Sequence, residues 1–295
     1  MRIILLLLLM LLVGVAPCAE NTFGSAVSTN RVAFYFGAHP DDWQLFMNPN
    51  AYYDVQEPSN KVVFVYLTAG DAGLGLGNGG RSQPYYLARE NGAKFSVKFM
   101  ADAAKPPEIP IDSVALIAGH PIKRWLYRNT VSFFMRLPDG NPQGTGYVAT
   151  AEQSLKRLHE GTIRSMTSID SSTTYQGWSD LRTTLRKLID HERGTLTNVW
   201  VNIPDTNTVK NIGDHADHQH MAQGVLEAIT NLPWINKALY LDYVSADMKE
   251  KYEQRRMRNR GRNIRSAFGW IGGVGPSEPL GSTTPFLAKT ALLSH

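Results

Sequence analysis

The chain has 295 residues, 43% of them hydrophobic and 19% charged, with a formal net charge of +4. That composition excludes a disordered or fibrous chain and leaves room for one sizeable α/β domain or two small ones. The single cysteine, Cys18, excludes a disulfide framework and a thiolate metal site, so any metal must be held by His, Asp or Glu.

In chain order, Met1-Arg2 precedes an almost wholly apolar run from Ile3 to Val15, then Ala16-Pro17-Cys18-Ala19-Glu20. One basic residue, a short apolar block and small residues before a polar region predict a signal peptide over residues 1–19. Residues 20–295 then form a single domain, and the expected location is secreted or periplasmic. The block is shorter than the roughly 20 residues that cross a bilayer, and Pro17 interrupts it. A retained membrane anchor is the alternative; lipid attachment at Cys18 is a weaker one, because Pro17 suits that processing poorly. The absence of any Asn-x-Ser/Thr sequon leans toward a bacterial exported protein.

Buried strands are predicted at Arg31–Gly37, Lys61–Thr68, Ser113–Gly119, Val131–Leu137, Thr197–Ile203 and Ala238–Val244, all rich in β-branched and aromatic residues. Helical patterns lie at Pro84–Ala104, Ala151–Met166, Trp178–Glu192 and His218–Asn231; in the last, Met221, Val225, Leu226 and Ile229 recur on one face. Apolar strands alternating with helices predict an α/β fold, a mostly parallel sheet with helices on both faces. In such sheets ligands bind outside the carboxyl ends of the strands. The chain places four segments there: the His39 turn, the Asp71–Arg81 loop, the Pro138-Asp139-Gly140 turn and a histidine cluster after Pro204. Further on, the basic segment Arg255 to Arg265 reads as a solvated helix and loop, with weak contact to an anionic envelope or membrane surface as its functional alternative. It has no aromatic interleaving, so no nucleic-acid partner is expected. Ile271 to Pro285 reads as an irregular loop.

Ala38-His39-Pro40-Asp41-Asp42 ends the first strand, and Asp214-His215-Ala216-Asp217-His218 opens the last helix. His39 and Asp42, three apart across a proline turn, can face one point with Asp41 beside them, while His215 and His218 share a helix face. Two imidazoles and one carboxylate satisfy a catalytic zinc site with a fourth position for water. A further carboxylate can then act as base, and a further imidazole can steady an oxyanion or protonate an amine. Against that, Pro-Asp-Asp is a common turn, and His/Asp-rich helix starts are often caps. The Gly75–Gly80 run matches G-x-G-x-x-G but does not follow the first strand, and it reads as a pliable rim loop. His120, before Pro121, reads as a loop histidine with a structural or surface role, reach into the site being the alternative, and no G-x-S-x-G elbow supports a serine triad.

Together with Thr68-Ala69-Gly70-Asp71-Ala72-Gly73 and Arg89-Glu90, the two clusters resemble, in order, the signature blocks of the PIG-L/LmbE family. Those enzymes are zinc-dependent deacetylases of N-acetylglucosamine-type groups. The resemblance runs from Arg31 to Asn231 and implies a Rossmann-like, LmbE-like fold. It implies that His39, Asp42 and His218 bind Zn2+, with Fe2+ as the alternative metal. Asp41 would be the general base toward the attacking water, and His215 would steady the tetrahedral intermediate or hand a proton to the departing amine. Arg89 and Asp139 resemble substrate-contacting positions; taken as residues alone, they read as a helix-surface arginine and a turn aspartate. Asp217 reads as a carboxylate behind the ligands or a helix cap.

The reaction so implied removes the N-acetyl group from an amino sugar or glycoconjugate, giving acetate and a free amine. Three positions depart from the family pattern: Trp43 stands where Glu is usual, Ala216 where Pro is common, and Gly213 where some members place a tyrosine. Trp43 reads as a buried or rim residue, with stacking on a sugar face as the alternative. Two other functions stay open. A metal-dependent phosphoesterase would favour two metals and more carboxylate ligands, whereas a non-catalytic carbohydrate-binding protein has no need of the free base Asp41.

Overall fold

The first apolar run becomes β1 (Arg31–Gly37), buried at every residue after Arg31 in the computed structural model, which describes residues 29–103 and 105–247. Side chains alternate across a strand, so Val32, Phe34 and Phe36 enter one core and Ala33 and Tyr35 the other. A strand buried on both faces leaves no solvated side for charged residues, and none follows Arg31 in this run.

The chain continues through α1 (Asp42–Phe46), α2 (Asn50–Gln56), β2 (Asn60–Thr68), α3 (Tyr85–Asp102), β3 (Ile111–Ile117), β4 (His120–Tyr127) and β5 (Thr130–Leu137). There follow α4 (Leu155–His159), the short hairpin β6 (Met166–Thr167) and β7 (Thr174–Tyr175), α5 (Trp178–Arg193), β8 (Val199–Pro204), α6 (Ala216–Ile229) and β9 (Asn236–Tyr240). Seven strands make one sheet in the order β3-β4-β5-β2-β1-β8-β9. The run from β5 to β9 is parallel, and the β3–β4–β5 end is antiparallel. Helices α1, α2 and α3 cover the Tyr35 face; α4, α5 and α6 cover the Phe34 face. This is the α/β class expected from the sequence. The chain adds β2 on one side of β1 and later β8 on the other, and that reversal opens a crevice at the carboxyl ends of these strands.

Helices α1 and α2 and the β6–β7 hairpin have no counterpart among the sequence expectations, and three further elements differ from theirs. His120 opens a strand, β4, instead of lying in a loop: Ala118 and Gly119, with φ of 52° and 89°, make the two-residue turn that pairs β3 with β4. Pro121, Lys123 and Arg124 interrupt the apolar run that would have flagged it. The helix expected over Ala151–Met166 shrinks to α4. Ala151 and Glu152 are left-handed at φ of 52° and 53°, the Ser154 hydroxyl caps the helix by accepting the Arg157 N–H, and Gly161 follows its end. The last strand stops at Tyr240, not Val244, and Tyr243–Asp247 forms a 3-10 turn. Among the described residues no helix is long and apolar enough to cross a membrane. The expected signal peptide over residues 1–19, Cys18, the basic segment 255–265 and the loop 271–285 lie outside the described residues.

Candidate active site

Thr68, at the end of β2, binds the Ala38 carbonyl through both its N–H (2.8 Å) and its hydroxyl (2.7 Å). This clamps the start of the His39-Pro40-Asp41-Asp42 turn, where Asp42 Oδ2 accepts the His39 N–H at 2.9 Å before Asp42 begins α1. From the other side, β8 leads through a loop to α6, whose N-cap is His215; its Nδ1 accepts the Asp217 N–H at 3.0 Å. One helical turn on, His218 is fully buried and reaches back to the first turn.

The two turns meet in a near-equilateral triangle of donor atoms. His39 Nδ1 lies 3.2 Å from His218 Nε2, His218 Nε2 lies 3.3 Å from Asp42 Oδ1, and Asp42 Oδ1 lies 3.4 Å from His39 Nδ1. Tetrahedral zinc with ligand bonds of about 2.0–2.1 Å requires ligand–ligand edges of about 3.3–3.4 Å. The donor set therefore fits a single metal in both chemistry and spacing. Without one, burial works against charge on either imidazole, but the Asp42 carboxylate between them prevails. His39 is carried up to about 10 and His218 well above its ordinary range. Burial alone would raise Asp42, yet the two imidazoles hold its carboxyl well below the usual range. A divalent cation held by these three donors would replace those protons.

Behind the triangle stands a ring of carboxylates. His218 Nδ1 is 2.7 Å from Asp214 Oδ1 and 2.9 Å from Asp242 Oδ2, and both acids are buried. Asn211 joins the two, donating to Asp214 Oδ2 at 3.1 Å and accepting the Asp242 N–H at 3.0 Å. Neither Asp242 oxygen has hydrogen-bond geometry to any partner among the described residues, and burial pushes this acid up to about 7. On the other ligand, His39 Nε2 faces Asp217 Oδ2 at 3.5 Å and Asp139 Oδ2 at 3.9 Å. Carboxylates behind metal-ligating imidazoles fix ring orientation and tautomer. Asp217 Oδ2 also accepts the Gly140 N–H at 2.8 Å, and a Cβ on Gly140 would lie 2.5 Å from Asp217 Oδ1, so only glycine admits that approach.

Asp41 and Arg89 form an ion pair, so the carboxylate expected to be free is engaged in this structure. Arg89 is not on the solvent face of α3; it turns inward and also donates to the Gly70 carbonyl at 3.3 Å. A Cβ on Gly70, at φ of 55°, would meet Arg89 Cζ and Pro40 Cδ at 3.0 Å. The next residue, Glu90, turns away and takes Arg136 in a two-point pair at 2.6 and 2.8 Å. Arg136 has φ of 57° where the pairing of β2 with β5 shifts register, a bulge that re-aims the following Pro138-Asp139. Asp139 is buried at the site; its N–H is held by Asp71 Oδ1 at 2.9 Å, and its Oδ1 lies 4.0 Å from His215 Nε2. It is thus both a turn residue and a wall of the site.

His215 is pushed down to about 4, by burial first and then by the charge of His39. The ring is therefore neutral near pH 7. Since its Nδ1 accepts a backbone N–H, its proton sits on Nε2, the atom that faces the site. Trp43 is fully buried and donates to the Tyr66 hydroxyl at 2.7 Å, so it has no face to offer a sugar.

The structure thus brings together all seven residues singled out from the sequence: His39, Asp41, Asp42, Arg89, Asp139, His215 and His218. Two participants were missed. Asp214 was visible in its cluster but had no role, and Asp242 was absorbed into a strand expected to run to Val244. An acid directly after the apolar run Ala238–Leu241, at the carboxyl end of a strand, was the available signal.

No family model matches the chain, and no curated protein matches it. Among solved structures it is similar to an N,N'-diacetylchitobiose deacetylase from Pyrococcus horikoshii, complexed with its inhibitor MPG. The two are 14% identical, the match covers 82% of this chain and 70% of that one, and the TM-score is 0.41.

Proposed function

We propose that the chain is a metal-dependent N-deacetylase of PIG-L/LmbE type, removing the acetyl group from an N-acetylglucosamine-type sugar or glycoconjugate. The observation that carries this reading is the His39–Asp42–His218 triangle, with an acid that is not one of its corners, Asp41, next in sequence to Asp42 and paired with Arg89. A divalent metal held there, with zinc proposed, would supply Lewis-acid polarisation of the acetamide carbonyl and acidify a water.

The chain's own residues then divide the proton work. Asp41 takes a proton from the water as its oxygen bonds to the carbonyl carbon, and the same proton passes to the nitrogen as the C–N bond breaks. The products are acetate and a free amine. Asp41 must turn from Arg89 to do this, because the oxygen that takes the proton has to face the water. Substrate that draws Arg89 onto its own oxygens would release Asp41 at the moment it is needed. His215, neutral and protonated on Nε2, suits hydrogen-bond donation to the carbonyl oxygen as charge develops there. Asp139 and Arg89 would border the sugar.

One observation favours a second reading, a two-metal phosphoesterase: His39, Asp139, His215 and Asp217 also group within 4.8 Å. Against it, Asp217 Oδ2 is held by the Gly140 N–H and His215 Nδ1 by the Asp217 N–H. The two readings separate in one assay on zinc-loaded protein. Acetate released from N-acetylglucosamine compounds at one metal per chain, and lost in Asp41→Ala with the metal retained, supports deacetylation. Phosphate release at two metals per chain overturns it, and sugar binding without any turnover would make the protein a carbohydrate-binding one. The proposed location is outside the cytoplasm, resting on residues 1–19; mass spectrometry of the chain expressed with that segment, finding a new N-terminus near Glu20, is its test.

A further inference from the structure

The outer stretches of the loops around this site carry almost no charge. Residues 72–80, 141–151 and 206–213, which follow β2, β5 and β8 at their carboxyl ends, include one charged side chain, Lys210. The cations that flank them are turned onto loop carbonyls: Arg81 onto Gly79 at 3.2 Å, Lys156 onto Gln143 at 3.3 Å and Arg157 onto Thr145 at 3.4 Å. The same loops expose large apolar side chains. Leu74 and Leu76 are 39% and 61% exposed, Val148 86%, Val209 85% and Ile212 68%. Two of these loops adjoin, since a Cβ on Gly73 would strike the Tyr147 ring at 2.5 Å. The apolar character reaches the site itself, where the half-exposed Tyr243 stacks on the His218 ring with centroids 5.5 Å apart.

Resting on the deacetylase reading, we infer that this rim binds the substrate's aglycone and that the aglycone is a neutral alkyl or acyl chain. Aliphatic side chains left in water on several loops gain by covering apolar surface. An anionic aglycone would need several free cations, and Arg81, Lys156 and Arg157 are each engaged by a loop carbonyl, which leaves Lys210. A purely sugar aglycone would use aromatic faces and polar groups, whereas the most exposed large side chains on these loops, Val148, Val209 and Ile212, are aliphatic. The loops that carry the rim also carry Asp71, Asp139 and Asp214 of the site, so a group bound there is attached to the sugar being cut.

The test is a series of N-acetylglucosaminides bearing methyl, butyl and octyl chains, below micelle concentrations, with zinc-loaded protein. Acetate release gives kcat and KM, and calorimetry gives binding independently of turnover. KM and Kd should fall by about tenfold or more from methyl to octyl while kcat holds. A variant carrying Leu76→Asn, Val148→Asn and Ile212→Asn, all exposed and outside the proton chemistry, should keep the methyl compound's constants and bring octyl within about threefold of them. Equal binding across the series, an octyl advantage that survives in the variant, or tighter binding of a phosphate-bearing aglycone overturns the inference. If no compound releases acetate, the deacetylase reading fails, and calorimetry still decides the rim.

Discussion

Two buried histidine groups in this molecule are finished in opposite ways. His120 has both ring nitrogens occupied, Nδ1 with Thr173 Oγ1 at 2.7 Å and Nε2 with Asp180 Oδ1 at 3.1 Å, and its ring lies on Tyr175 at 4.3 Å. The other Asp180 oxygen accepts the Gln176 N–H at 2.7 Å. That arrangement looks like a hydroxyl–imidazole–carboxylate relay, but its atoms are all used in tying β4 to the β6–β7 hairpin and α5. Around His39 and His218 the opposite holds. Three donor atoms crowd within 3.4 Å of one another, His39 Nε2 and Asp217 Oδ1 lack hydrogen-bond partners among the described residues, and Asp242 Oδ2 lies 2.9 Å from a ring nitrogen that Asp214 already engages. Buried polar atoms are nearly always satisfied, so a concentration of unsatisfied ones marks a place shaped for something besides stability.

Substitutions test that contrast, and the largest effect belongs to the triangle. Asp42→Ala should abolish tight zinc binding and reduce acetate release to background, because two imidazoles alone do not hold the metal in place. Metal analysis after dialysis and the acetate assay check it together; full occupancy and activity in this variant would remove the triangle from the argument. Asp41→Asn should come next, costing about 10²–10⁴-fold in kcat, the usual worth of a positioned base, with metal content unchanged. If Asp41→Asn loses the metal as well, Asp41 belongs with the ligands rather than with the proton chemistry.

Legibility followed the same divide. The parallel strands and the long helices α3, α5 and α6 could be read because a strand buried on both faces is a continuous apolar run and a covering helix repeats its apolar side. β4 could not, because it mixes Pro121, Lys123 and Arg124 with half-buried apolar residues. α4 was overdrawn because a helical pattern from Ala151 ignored the Ser154 cap and Gly161. At the site, His39, Asp42, His215 and His218 announce themselves by short spacing. Arg89 and Asp139 do not: their approach depends on the left-handed Gly70 and on the Arg136 bulge, neither visible as a local pattern. Asp242 is 24 residues beyond His218 in sequence and meets it only because β9 pairs beside β8.

Asp242 therefore gives a sharper test than the ligands. Asp242→Asn keeps the shape and removes one of two carboxylates from His218 Nδ1, leaving Asp214 as acceptor. Zinc affinity by chelator competition should fall by about 10–100-fold, with kcat largely kept at saturating metal. Unchanged affinity would mean that Asp214 alone holds the ring and that Asp242 is carried by the fold.

The smallest effect on turnover should come from the histidine that is fully satisfied. His120→Ala removes two buried hydrogen bonds and a ring contact, so it should lower stability by about 2 kcal/mol, read as a drop of about 4–8 °C in melting temperature. kcat/KM should stay within about twofold of the parent, since nothing His120 touches reaches the triangle. Turnover lost without a change in melting temperature would break the comparison. It would show that a histidine with both nitrogens bonded can still carry chemistry, and that unsatisfied atoms are not the mark of function in this fold.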